Sequence, residues 1–257
     1  MRGPCFGRTY GSNMSETIGL LPPNPPVTPS GWSYEHFVRK ESVSSALSAW
    51  LQVVLVITGI CSSVMAVAAL NAASSMNTYL VSKSRRVLAD LESADNATML
   101  LLGVAFLLSI ATFVLLVIFS FRAHKACSFL CAYPMKWARD LTIGSWFIPI
   151  ANFIITPMIW VESDRIATAP RSNGRTEPGW SSRPINKMIV IWWSLYFVGL
   201  IMIYAIPLAS NGDLGLSDYS SAMLIGAVGS VVLAVSCVLA ALCVRRLGRA
   251  LSPTSIG

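Results

Sequence analysis

Five long stretches of the chain contain no Asp, Glu, Lys or Arg, and each of them can cross a lipid bilayer as an α-helix. They comprise residues 42–82, 96–121, 141–161, 188–212 and 219–244. A helix needs about 20 mainly apolar residues to cross the hydrocarbon core. Only 12% of the residues are charged, which is about half the usual fraction in soluble domains. The sequence therefore predicts an all-α fold, a polytopic transmembrane helical bundle.

The sequence divides into a tail and one transmembrane domain. Residues 1–41 lack an apolar run and contain a Pro-rich stretch, so they are predicted to form a disordered cytoplasmic tail. Residues 1–13 differ in character from the rest, and Met14 is interpreted as the natural start. Residues 42–250 are predicted to form the transmembrane helical domain. Its apolar segments lie near 47–69, 99–121, 141–161, 188–208 and 222–244.

The third apolar segment, residues 141–161, differs from the other four. Pro149 and Pro157 each remove a helix hydrogen bond and add a ring clash, and the polar Asn152 lies between them. A broken helix at membrane depth is tolerated where it is buried in protein or lines a cavity. We therefore predict four spanning helices and a Pro-broken segment that enters the membrane and returns on the same side. Five spans are the alternative, because the segment is long enough to cross.

The distribution of basic residues favours the four-span arrangement. Lys and Arg in short loops favour the cytoplasm. If 141–161 returns, both termini and the basic segments 122–140 and 162–187 share the cytoplasmic side, and only the basic residues at 83–86 lie in the opposite loops. If it crosses, 122–140 moves outside and the bias weakens. These loops also explain the net charge of +7, and no basic stripe with interleaved aromatic residues indicates a nucleic acid.

The residues around the broken segment form a recognisable pattern. It consists of Phe121 to Lys125, Tyr133, Pro134, Trp137, Trp146 to Phe153, Pro157, Trp160, Glu162 to Asp164, Trp192 and Trp193. This pattern, over about 121–196, resembles the domain-of-unknown-function 4328 family of small bacterial multi-pass membrane proteins. Ala126 and Cys131 depart from it, since an Asn and a Gly are expected there. The resemblance implies a bacterial plasma membrane and implies no activity.

Eight residues in and around the broken segment are the candidates for a functional role. They are Trp146, Pro149, Asn152, Pro157, Trp160, Glu162, Asp164 and Trp193. Asn152 is a candidate for binding a polar group within the membrane, because unwound backbone frees carbonyls and amides. Its simpler role is to satisfy the backbone groups that the prolines leave unpaired. Glu162 and Asp164 suit acid–base work, and their simpler role is as interface charge or in a local ion pair.

A second cluster, His124, Cys127 and Cys131, has spacings that place the three side chains on one helix face. Nitrogen and sulfur ligands suit a soft metal, but a structural site needs four ligands and the sequence offers no evident fourth. The H-E-x-x-H, G-x-S-x-G and Walker A signatures are missing from the sequence. We therefore assign no catalytic, cofactor or metal site.

Together these features predict an integral membrane protein that is not an enzyme and needs no cofactor. Its predicted partners are the lipid bilayer and a protein bound through the basic cytoplasmic loops. The alternative is a small transporter or channel that uses 141–161 as part of a path, and a membrane-embedded enzyme is the third interpretation. The last span carries a stripe of small residues, Gly226 to Ala241. Such stripes let helices approach closely, either within the bundle or in a homo-oligomer.

Overall fold

The computed structural model describes residues 42–131, 135–172, 175–177, 179–205 and 216–252. In chain order its helices are α1 (Ser45–Ser82), α2 (Arg85–Leu130), α3 (Arg139–Phe147), α4 (Pro149–Ala167), α5 (Lys187–Leu200) and α6 (Leu216–Ala250). The predicted tail at 1–41 and the end of the predicted fourth span, 206–208, lie outside the described residues.

Shorter elements connect these helices. Two-residue strands, Arg171–Ser172 and Arg175–Thr176, pair antiparallel after α4. A 3₁₀ turn at Trp180–Ser182 precedes α5, and a π-helical turn at Ile201–Ala205 continues it. Asn186 caps α5, because its side-chain oxygen accepts a hydrogen bond from the Met188 N–H.

Within the described residues, four helical segments are long and apolar enough to cross a membrane. They are Ser45–Ser82, Asn96–Leu130, Lys187–Tyr204 and Ser220–Ala250. The prediction of an all-α bundle with four such helices is therefore confirmed. Segment 141–161 is absent from this set because its sequence is divided between α3 and α4.

Helices α1 and α6 run antiparallel along each other and bring the two described chain ends together. The Val43 N–H donates to the Leu251 carbonyl over 3.3 Å. A Cβ added at Gly59, in the middle of α1, would lie 3.4 Å from the Cys237 Cβ of α6. We call this end of the bundle, where Val43 meets Leu251, the basic end, because the basic segments also gather there.

Helix α3 enters the bundle from the basic end. Its approach is held by His124 of α2, whose Nε2 lies 3.1 Å from the Trp137 carbonyl oxygen. Near the tip of α3, the Trp146 ring contacts the Phe113 ring with centroids 5.5 Å apart. Phe113 lies about 16 Å deeper along α2 than His124, at 1.5 Å per residue. The segment therefore penetrates well into the bundle.

Helix α4 returns to the same end. The Trp160 indole N–H donates to Ser120 Oγ of α2 over 3.0 Å, and Cys127 Sγ donates to the Ser163 carbonyl over 3.4 Å. The successive partners on α2 thus move back toward the basic end as α4 proceeds. The segment forms a hairpin, Arg139–Ala167, whose two ends share one side of the bundle. This is the predicted Pro-broken geometry rather than a fifth straight span.

Candidate functional site

Four tryptophans from the hairpin and α5 form one continuous cluster at the centre of the site. All four are buried. Trp146 contacts Trp193 with ring centroids 5.4 Å apart, and Trp160 contacts Trp192 at 4.9 Å. Trp192 and Trp193 contact each other at 5.1 Å. Edge-to-face pairs of this kind contribute about 0.5–1.5 kcal/mol each beyond area burial. This tryptophan cluster therefore stabilises the packing of the hairpin against α5.

Directional hydrogen bonds from the indole groups fix the orientation of the hairpin. The Trp193 N–H donates to the Asn152 carbonyl oxygen over 3.2 Å, which ties α5 to α4. The Trp160 N–H, as described above, ties α4 to α2. Trp146 Nε1 is buried and has no hydrogen-bond partner among the described residues. The predicted candidates Trp146, Trp160 and Trp193 are therefore brought together by the fold.

The two prolines have different structural roles. Pro149 lies at the start of α4, where a missing N–H costs nothing because helix N-termini have unpaired donors. The break itself falls at Ile148, whose extended backbone separates α3 from α4. Pro157 lies inside α4, which continues through it without the hydrogen bond that an N–H would donate to the Phe153 carbonyl.

Asn152 lies half-buried in the first turn of α4. Its backbone N–H donates to the carbonyl of Ile148, the N-cap residue, over 2.7 Å, which is the first helical hydrogen bond of α4. Its side-chain Oδ1 is buried and has no hydrogen-bond partner among the described residues. The side chain is therefore not seen to satisfy a freed backbone group, and it lines neither of the two cavities described below.

Glu162 and Asp164 are both buried, but they bind different partners. Glu162 Oε1 accepts a hydrogen bond from the Lys136 backbone N–H over 2.7 Å, so it holds the chain that leads into α3. Asp164 forms an ion pair with Arg246 of α6, with Arg246 Nε 2.9 Å from Asp164 Oδ1. The two carboxylates thus link α4 to separate neighbours and do not form an acid–base pair.

The ionisation of Glu162 follows from its surroundings. Burial raises the pKa of its carboxyl above the ordinary value, and the hydrogen bonds from the Lys136 and Trp137 backbones and the Lys136 charge oppose that shift. Its Oε2 is buried without a hydrogen-bond partner among the described residues. Burial therefore works against the ionised carboxylate, and the backbone N–H groups work in its favour.

His124 and Cys127 clamp the two ends of the hairpin. Because a carbonyl oxygen only accepts, the His124 contact with the Trp137 carbonyl assigns the proton to Nε2. Cys127 binds α4, the returning helix of the hairpin, because its Sγ donates a hydrogen bond to the Ser163 carbonyl. Among the described residues no group of three or more His, Cys, Asp or Glu side chains is arranged to hold a metal ion. The structure gives these two residues a packing role.

Two adjoining cavities lie beside α4, and the sequence did not indicate either of them. An apolar groove of about 570 Å³ lies between one face of α4 and the chain at 180–190. A polar recess of about 270 Å³ adjoins the groove where α4 ends. The recess is lined by Asp164 and by four basic residues, Arg165, Arg183, Lys187 and Arg246.

Over the described residues, the fold is mainly helical, with four helices of membrane length and a hairpin that packs among them. A model of the family described as a domain of unknown function, DUF4328, matches residues 83–249. This is more than half of the 257 residues, and the chain belongs to that family. The match confirms the resemblance seen in the sequence. Comparison with curated proteins and with solved structures gave no match.

Proposed function

We propose that this chain is a non-enzymatic, multi-pass component of the bacterial plasma membrane that binds an acidic partner protein at its basic end. The observation that carries the proposal is the return of the hairpin. It brings the described parts of segments 122–140 and 162–187 to the end where the first and last helices meet. Since Lys and Arg near span ends favour the cytoplasm, that end faces the cytoplasm and both termini lie there.

The exposed cations of the basic end supply the binding surface. Arg122 lies on α2, Arg139 begins α3, and Arg245 and Arg249 lie on the last turns of α6, all with exposed side chains. Charges arranged on one face steer an oppositely charged partner and set its orientation. The hairpin supports this face from inside the bundle through the tryptophan cluster.

The other two function classes receive less support. A transporter needs a polar path past Asn152, and neither cavity beside α4 includes that residue. An enzyme needs convergent titratable groups, and Glu162 and Asp164 hold separate partners. A partner-binding function requires only the exposed charges of the basic end.

The proposal is tested by cross-linking the tagged full chain in native membranes and identifying the captured proteins by mass spectrometry. The variant carries Arg122→Gln, Lys125→Gln and Arg139→Gln. We expect recovery of an acidic partner to fall at least about tenfold, because steering by complementary charge is lost.

The matched control removes the same charge from the opposite end of the bundle. It carries Lys83→Gln, Arg85→Gln and Arg86→Gln and is expected to recover the partner as the unchanged protein does. Higher salt should weaken recovery by the unchanged protein, since exposed charges are screened. Equal recovery by the basic-end variant, or equal loss in the control, contradicts the proposal.

A further inference from the structure

The recess beside α4 has an excess of positive charge and unpaired donors. Its one acid, Asp164, is already paired with Arg246. Arg183 and Lys187 have no acidic partner within ion-pair distance among the described residues. Arg165 Nε and Asn186 Nδ2 are buried without hydrogen-bond partners among the described residues. Such a recess is suited to an anionic group with several acceptor oxygens, such as a phosphate.

The surface of the groove next to the recess is mostly apolar, although Lys136, Glu162 and Ser181 also line it. Phe153, Pro157 and Val161 follow one another at four-residue spacing on one face of α4, and Ile185 and Val190 lie opposite. From Phe153 to Val161 the groove extends about 12 Å along the helix, at 1.5 Å per residue. Its volume of about 570 Å³ lies within the usual range for ligand sites. A hydrocarbon chain is the chemistry that suits such walls.

The recess and the groove adjoin, because Arg165 and Ile185 line both. A ligand that fills both therefore carries an anionic head joined to an apolar chain. A free phosphate would leave the groove empty, and a zwitterionic lipid would place its own cation among Arg183 and Lys187. Basic pockets between helices on the cytoplasmic side are known to hold anionic lipid headgroups.

We propose that the groove and the recess form one binding site for an anionic phospholipid, with the phosphate among Arg165, Arg183 and Lys187 and an acyl chain along Phe153, Pro157 and Val161. This site is separate from the protein-binding surface at Arg122 and neighbouring residues. The lipid would pack against the exit of the hairpin and join α4 to the start of α5.

The test uses the purified full chain and native mass spectrometry with phosphatidylglycerol or phosphatidylcholine as the probe. The unchanged protein is expected to retain phosphatidylglycerol preferentially. The Arg183→Gln, Lys187→Gln variant should weaken that binding about 25-fold, because each basic residue near anionic headgroups contributes roughly fivefold. The control, Arg245→Gln with Arg249→Gln, removes the same charge from exposed positions outside the recess and should bind as the unchanged protein does.

A second variant tests the groove independently of the charges. Val190→Trp places a large ring in the groove at a half-exposed position and should reduce phosphatidylglycerol binding while thermal stability is kept. Glycerol 3-phosphate, which has the head without the chain, should compete only weakly. Equal retention of the two lipids, equal losses in the charge variant and its control, or displacement by glycerol 3-phosphate at lipid-like concentrations would each overturn the proposal. A partner-binding variant at Arg122 should leave lipid binding unchanged.

Discussion

The crossings of the long helices and the hairpin are packed by different means. Where α1 meets α6, small residues allow close approach, and a Cβ added at Gly248 would overlap Ser48. Where the hairpin meets its neighbours, large rings and hydrogen bonds dominate, as in the contacts of Trp160 with Phe119 and Ser120. Apolar side chains gain little by leaving lipid for another helix, so long spans associate through close van der Waals contact and interhelical hydrogen bonds.

The hairpin needs a different solution because its backbone is interrupted at membrane depth. A broken helix persists there only when surrounding protein satisfies or buries its polar groups. Side chains from several elements do so here. The pairs are Trp160 with Ser120, Trp193 with Asn152, His124 with Trp137, Cys127 with Ser163, and Glu162 with Lys136. The hairpin is therefore expected to depend on individual side chains far more than the long crossings do.

The largest effect should come from a labelling experiment that asks whether the hairpin is distinct from a span. In a background that carries Cys5→Ser and Cys131→Ser, the substitutions Lys136→Cys and Ser181→Cys flank the hairpin. Both should react with a membrane-impermeant maleimide only after the cells are opened, because both positions lie at the basic end, which we propose faces the cytoplasm. Arg86→Cys, in the first turn of α2 at the opposite end of the bundle, should react in intact cells.

Each cysteine reacts either before the cells are opened or only afterwards. The outcome therefore decides directly whether the hairpin differs from a span. Reaction of the Lys136→Cys and Ser181→Cys variants from opposite sides would mean that 141–161 crosses. The hairpin would then be an ordinary span, and the basic end would lose segment 122–140. The Arg86→Cys reference shows that the reagent reaches external cysteines, since it must react before opening.

The next largest effect is expected for Trp160→Ala. Removing this buried ring leaves a cavity against Phe119 and Trp192 and removes the indole hydrogen bond to Ser120. Large-to-small changes of this kind cost about 3–5 kcal/mol of unfolding free energy. Denaturant unfolding in detergent measures the loss. The control is Trp50→Ala, whose ring is 66% exposed and should cost less than about 0.5 kcal/mol. Equal losses would show that the ring packing at the hairpin has no special weight.

Much of the fold follows from the sequence, because its main signals are local. Charge-free runs predict the long helices, and Pro149 with the biased loops predicts the break and the return. The contacts of the candidate functional site were harder to predict from the sequence. The sequence already favours separate roles for Glu162 and Asp164, since residues two apart on a helix do not face each other. The Asp164 partner, Arg246, lies 82 positions away, and only tertiary packing brings it and Arg183 to one recess.

The smallest effect is expected at the crossings of the long helices. It is tested by substituting two glycines of α6 that differ in their surroundings. A Cβ at Gly229 would lie 2.8 Å from the Met202 Cβ and 3.2 Å from the Gly199 carbonyl oxygen, whereas one at Gly226 would meet nothing within 4 Å. Gly229→Ala should therefore destabilise the protein by about 1–3 kcal/mol through overpacking. Gly226→Ala should be neutral or stabilising by up to about 1 kcal/mol, because Ala favours helix over Gly.

Thermal unfolding in the same detergent compares the stability of the two variants. Their substitutions lie about one helical turn apart on α6. A tolerated Gly229→Ala would mean that α5 and α6 yield easily at this crossing. Close approach would then not hold the long helices together, and the contrast with the hairpin would have to rest on its rings and hydrogen bonds alone. A loss at Gly229 without one at Gly226 assigns the cost to the crossing itself, since helix propensity changes equally at both positions.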